Sequence, residues 1–192
     1  MTTEVQQDVV RNGVDTAKLF GTLDAIKQHP ELAKFQFRAS NKWIDGSHNR
    51  STIREFYGAG QTDTSRAQAF ELDAGEPAIL IGNDTGPNPA ELLLHALAAC
   101  LTTTLVYVAA ARGVRLTSVE STLEGDLNVQ GALGLDDGYR NGYEAIRVSF
   151  KISGDATPEK LQQLVERAQQ RSVVFDSVLH GVPITVSADV VE

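Results

Sequence analysis

The chain has 192 residues, 42% of them hydrophobic and 22% charged, with a net charge of −8 and a pI near 5.0. This composition excludes wholesale disorder, and the negative charge with no cluster of basic residues makes a nucleic-acid backbone a poor partner. A single cysteine excludes an internal disulfide, and the first thirty residues show no basic patch followed by an apolar stretch, so the expectation is an unprocessed cytoplasmic protein.

Residues 1–12 are polar and are expected to be loose. Over 14–28, Leu19, Leu23 and Ile26 recur at helical spacing with Phe20 beside them and Pro30 beyond, which predicts a short amphipathic helix. Residues 1–33 read as an N-terminal arm and 34–192 as the main domain. In 34–44 the alternation of Phe35, Phe37 and Ala39 against Gln36, Arg38 and Ser40 predicts a half-buried strand. The turn-rich DGSHNR of 45–50 follows, and strand rhythm resumes in STIREFYGAGQ, completing a hairpin. A second strand pair is expected in 67–72 and 78–81, separated by DAGEP.

The stretch 82–89, GNDTGPNP, leads into the longest apolar run of the chain. Asn88 reads as the helix cap, Pro89 as the first helical residue and Glu91 as the acid that reaches back to the cap amide. Residues 92–111 carry no formal charge and are about long enough to cross a bilayer. His95, the threonines at 102–104 and many alanines favour instead the buried helix of a soluble protein. Arg112-Gly113 supplies the stop.

Beyond it, Val119, Ser121 and Leu123 mark one strand, and Ile146, Val148, Phe150 and Ile152 alternate strictly in another. The glycine-rich QGALGLDDGYRNG between them reads as a mobile loop, with a functional lid as the alternative. A helix opens at Thr157-Pro158, with Leu161, Leu164, Val165 and Ala168 on one face. A helical turn, a glycine stop and a last strand over 182–187 complete the pattern.

Cys100 is the only thiol. It lies about eleven residues into the central helix, roughly 16 Å from its start, where that helix's own dipole has faded. A low-pKa Cys100 therefore needs a neighbouring cation from another segment. Glu91, about 900° of helical rotation away, is on the opposite face, and His95 is about 140° away. His95 is expected to be a core or interface residue satisfied by hydrogen bonds. Arg50, in the hairpin turn with His48 beside it, is the best-placed cation. Ser172, Asp176 and His180 do not make a nucleophile elbow, since no G-x-S-x-G is present. The histidines and the cysteine form no metal-ligand pair, and no glycine-rich nucleotide loop occurs, so no cofactor is expected.

The run GPNPAELLLHALAACL, the two long strands, the amphipathic helix and the terminal SVVFDSVLHGVPITV resemble the OsmC/Ohr family of hydroperoxide-handling proteins over about 34–190. The resemblance implies an α+β fold in which antiparallel sheets wrap around long central helices, in an intertwined homodimer with sites at the subunit interface. It also implies that a cysteine at the position of Cys100 attacks an organic hydroperoxide and is resolved by a second cysteine. An arginine, matched by Arg50, holds the thiolate, and a glutamate after the N-P holds the arginine. This chain has Ser172 in place of the resolving cysteine and Ala90 in place of the glutamate, with Glu91 next to it. The expected activity is a one-cysteine peroxidase cycle that draws on an external thiol reductant. The alternative is a non-catalytic protein that binds a small hydrophobic ligand. Neither a nucleic acid nor a membrane is an expected partner.

Overall fold

The computed structural model describes residues 10–191; the residues of the expected loose segment before Val10 lie outside it. The chain divides into two compact units, with the division between His95 and Ala96.

The first unit opens with a tight hairpin of β1 (Val10–Arg11) and β2 (Val14–Asp15), so residues 10–12 are ordered where a loose segment was expected. Helix α1 (Thr16–Gln28) follows, capped by Asp15, whose carboxylate accepts from the Lys18 N–H at 2.9 Å. No residue of α1 is buried.

A three-stranded antiparallel sheet carries the unit, built from β3 (Ser40–Asp45), β4 (His48–Ile53) and β7 (Phe70–Ala74) in the order β3-β4-β7. The expected strand over 34–44 therefore begins only at Ser40. Phe35 and Phe37 lie outside the sheet and stack on each other and on Phe56, with ring centroids 5.5–6.4 Å apart. The rhythm of STIREFYGAGQ breaks after Ile53 and resumes in a separate short hairpin, β5 (Phe56–Gly58) with β6 (Gln61–Asp63). The expected pairing of 67–72 with 78–81 does not form. Strand β7 pairs with β4 instead, and Ala78–Leu80 is a 3-10 turn in which the Leu80 N–H donates to the Pro77 carbonyl at 2.8 Å.

Helix α2 (Pro89–Ala111) starts in the first unit with the expected reciprocal cap. The Asn88 side chain accepts from the Ala90 N–H at 2.7 Å, and the Asn88 N–H donates to Glu91 at 2.8 Å. The helix ends in the second unit at Gly113, φ +79°, where the Gly113 and Val114 amides donate back to the Ala110 and Ala109 carbonyls.

In the second unit β8 (Leu116–Asp126) and β9 (Ala145–Gly154) form a long antiparallel ribbon. The glycine-rich connection between them contains α3 (Val129–Ala132), one turn capped by Asn128, and further backbone bonds such as Leu135 N–H to the Gln130 carbonyl at 2.8 Å. Helix α4 (Pro158–Gln169), capped by Thr157, buries Leu161, Leu164 and Ala168. These pack with Leu105, Ala109 and Val114 into the core, flanked by Phe150 and Ile152 of β9. Helix α5 (Val173–His180) is capped by Ser172 and ends at Gly181.

The expected last strand over 182–187 has no ladder partner among the described residues, and Val182, Ile184 and Val186 are exposed. An alternating sequence becomes a strand only where an edge is available to pair with it.

By length and composition α2 is also the one described helix that would reach across a membrane. Five of its 23 residues, Leu97, Leu101, Leu105, Ala109 and Ala110, are buried in this structure.

Candidate functional site

Cys100 lies in the second unit on α2, half-buried and with a free thiol. Burial is the largest single influence on it and works to raise its pKa. That influence is outweighed by the Ser172 hydroxyl, the backbone N–H groups of Val174 and Val173, and the Thr104 hydroxyl, so the thiol stands below its ordinary value. Three of these four groups come from one place, the N-terminal turn of α5. The first N–H groups of a helix have no partner within it, and the dipole there favours an anion. Local sequence places them well: a serine followed by an apolar run starts a helix, and the Ser172 Oγ accepts from the Phe175 N–H at 3.2 Å. Ser172 is 1% exposed, the only buried polar side chain among the described residues. Thr104 is one turn along α2, and its hydroxyl also donates to the Cys100 carbonyl at 2.8 Å.

The sequence pattern calls for a cation from another segment, whereas the groups that lower this thiol are neutral donors, three from the head of α5 and one, Thr104, from its own helix. The visible signal for α5 was the serine at the head of SVVF. The Ser172, Asp176, His180 alternative is answered by the same geometry. His180 and Asp176 pair at 3.1 Å one turn apart on an exposed face, while the serine hydroxyl is turned to the cap and to Cys100.

Arg50 and His48 belong to the first unit and lie on β4, not in the turn, which is confined to Gly46-Ser47. Arg50 is gripped side-on by Asp73 of β7. Its Nε donates to Asp73 Oδ1 at 2.9 Å and its Nη2 to Oδ2 at 3.0 Å, and His48 Nε2 meets the same Oδ1 at 2.8 Å. Hydrogen bonds from Arg50 and then from His48 lower the Asp73 pKa to about 2, against the opposing effect of burial. The Asp73 contact in turn raises the Arg50 pKa above its ordinary value. Asp73 is thus a member of the cluster that sequence reasoning did not name.

Glu91 is exposed and holds the α2 cap, and the Asn88 amide also donates to Glu76. His95 is exposed, so its expected core role is not realised: it sits near the start of α2, ahead of the buried stripe that begins at Leu97. No cluster of metal-binding side chains occurs among the described residues.

The chain matches the family model described as OsmC-like protein over residues 82–187, which includes Cys100, Ser172 and all of α2 and α5. It belongs to the OsmC family. Proteins of this family are soluble. Among solved structures the chain resembles the OsmC-like protein from Mycoplasma pneumoniae, at 17% identity and TM-score 0.58, with 77% of this chain and 89% of that one covered. A hypothetical protein from Aquifex aeolicus aligns at 18% identity and TM-score 0.51, covering 75% and 87%. An organic hydroperoxide resistance protein OsmC from Legionella pneumophila aligns at 18% identity and TM-score 0.49, covering 74% and 89%. No curated protein matches the chain. At such identities the structural likeness concerns the α+β OsmC/Ohr fold, here four antiparallel sheets among the described residues and the long helix α2.

Proposed function

We propose that this OsmC-family protein reduces organic hydroperoxides through Cys100, as a homodimer in cytoplasmic defence against oxidative or osmotic stress. The observation that carries the reading is the setting of Cys100, whose sulfur meets the buried Ser172 hydroxyl and the Val173 and Val174 N–H groups at the head of α5, donors that favour the nucleophilic thiolate. The thiolate sulfur attacks the outer oxygen of the hydroperoxide and the O–O bond breaks. The inner oxygen takes up a proton and leaves as the alcohol, and the sulfur, oxidised by two electrons, keeps the outer oxygen as a sulfenic acid. With Ser172 where a resolving thiol would stand, an external thiol condenses with the sulfenic acid and releases water. A second external thiol attacks the mixed disulfide, freeing Cys100 and leaving as the oxidised reductant.

Arg50 of a second copy completes the site as the cation at the thiolate, with His48 in support. A second copy is supported by the exposed apolar surface of each unit. Phe35, Phe37, Trp43 and Phe70 are exposed in the first, and Val182, Ile184 and Val186 in the second. Treatment with cumene hydroperoxide followed by dimedone is expected to add one trap to the Cys100 peptide, and equilibrium sedimentation to give a dimer. A Cys100 peptide left unlabelled at modest peroxide excess rejects the enzyme.

The second reading, small-ligand binding without turnover, is supported by a cavity of about 220 Å³ in the second unit. It is lined by Leu101, Val148, Phe150, Val165, Gln169 and Phe175. Native mass spectra with a bound apolar molecule, together with an unlabelled Cys100, favour that reading.

A further inference from the structure

The ladder of β3 with β4 ends at the rung between Ser40 and Thr52, and the two chains meet again at the bridge between Gln36 and Tyr57. There the Gln36 N–H donates to the Tyr57 carbonyl at 2.8 Å and the Tyr57 N–H to the Gln36 carbonyl at 2.9 Å. Between these two closures residues 37–39 face residues 53–56 without a rung, and their unequal lengths part the chains as at a bulge. The opening is pinned. Phe37 packs on Phe56 across it with ring centroids 5.5 Å apart. Arg66 donates from Nη1 to the Arg54 carbonyl at 2.8 Å, and its guanidinium lies over the Phe56 and Phe70 rings.

At the opening lies a cavity of about 240 Å³ lined by Arg38, Ala39, Ser40, Thr52, Arg54 and Glu55. Neither arginine has a counterion among the described residues. The Arg38 Nη2 donates to the neutral Gln36 side chain at 2.9 Å, and the Arg54 guanidinium donates to none. Two like charges therefore line one small space on a chain of net charge −8. Their mutual repulsion opposes the fold, and an anion between them reverses it. Ser40 and Thr52, directly opposed in the ladder, project to the same face and add two hydroxyl donors. Glu55 is the one acid of the lining and opposes any anion, so a ligand must draw on both guanidiniums to bind.

We propose that this opening is a binding site for a small phosphate monoester, held by Arg38, Arg54, Ser40 and Thr52. Two guanidinium forks and two hydroxyls offer about six donors, more than the roughly four acceptor positions of a carboxylate. A phosphate monoester brings three terminal oxygens and about −1.5 to −2 charges at neutral pH, which meets both cations. The cavity equals roughly eight waters at about 30 Å³ each, room for the phosphoryl group and a short organic body. The site lies within the first unit and stands apart from the reading of Cys100.

The test follows the phosphorus NMR line width of glycerol phosphate titrated with the full-length protein at fixed ionic strength. The parent is compared with Arg38→Gln, Arg54→Gln, Glu55→Gln and Lys151→Gln, each checked for folding by circular dichroism. Saturable broadening is expected, competed by inorganic phosphate and not by acetate at the same concentration. Arg38→Gln and Arg54→Gln are each expected to weaken Kd about tenfold, and Glu55→Gln to tighten it about threefold. Lys151→Gln removes the same charge from an exposed position on β9 and is expected to leave Kd unchanged. No saturable broadening, equal competition by acetate, or equal weakening by Lys151→Gln overturns the proposal. So does a Kd unchanged in Arg54→Gln or weakened in Glu55→Gln. If Arg38→Gln does not fold, Arg54→Gln decides, because the Arg54 guanidinium holds no described residue in place.

Discussion

Ser172 caps α5 with the same hydroxyl that bears on the sulfur of Cys100. One buried side chain thus joins a local folding signal to the reactive atom. The cap orients the α5 amides of Val173 and Val174, and those amides, with the hydroxyl, favour the thiolate over the thiol.

Ser172→Ala is expected to raise the Cys100 pKa, because the largest of the lowering influences is removed while burial still opposes ionisation. The rise is read from the absorbance of the thiolate as a function of pH, and an unchanged profile would show that the hydroxyl does not act on the sulfur.

Ser172→Cys places a second thiol beside the first. Peroxide treatment is expected to convert this variant to an internal disulfide, seen as the loss of two hydrogens in the intact mass and of dimedone labelling at Cys100. A persistent sulfenic acid in that variant would show that the two side chains cannot reach disulfide geometry.

The Asp73 pKa of about 2 lies below its ordinary value of 3.8, so the folded state binds this proton more weakly than the unfolded chain does. The stabilisation is therefore complete above 3.8 and is lost as the pH falls through about 2. Asp73→Asn is expected to flatten the pH dependence of the urea midpoint across that window, which parallel denaturation series of both proteins will read.

Asn88→Ala is expected to cost about 1 kcal/mol, since it removes the acceptor for the Ala90 N–H, whereas Glu91→Gln retains an acceptor for the Asn88 N–H and is expected to cost much less. Denaturant midpoints at an unchanged slope measure both.

Leu105, with no exposed surface, sits at the centre of the second unit's core. Leu105→Ala is expected to lose about 2–5 kcal/mol through lost burial and the cavity left behind, measured by chemical denaturation.

What the sequence by itself determined is local. The cap at Asn88, Pro89 and Glu91, the glycine stop at Gly113, the face of α4 and the alternation of β9 all depend on residues within a few positions of one another. Short-range sterics and hydrogen bonding settle those features, and the family signature around Cys100 rides on one of them. Only the tertiary structure decided which groups meet. Asp73 reaches Arg50 from 23 residues away because β7 pairs with β4 and not with the segment at 78–81. Ser172 reaches Cys100 because α5 begins beside α2, a placement that no periodicity records. The alternation of 182–187 marks the opposite case, a strand pattern that pairs with none of the sheet edges among the described residues. Strand pairing and the meeting of distant side chains are set by which surfaces can be buried together, and that is a property of the whole fold.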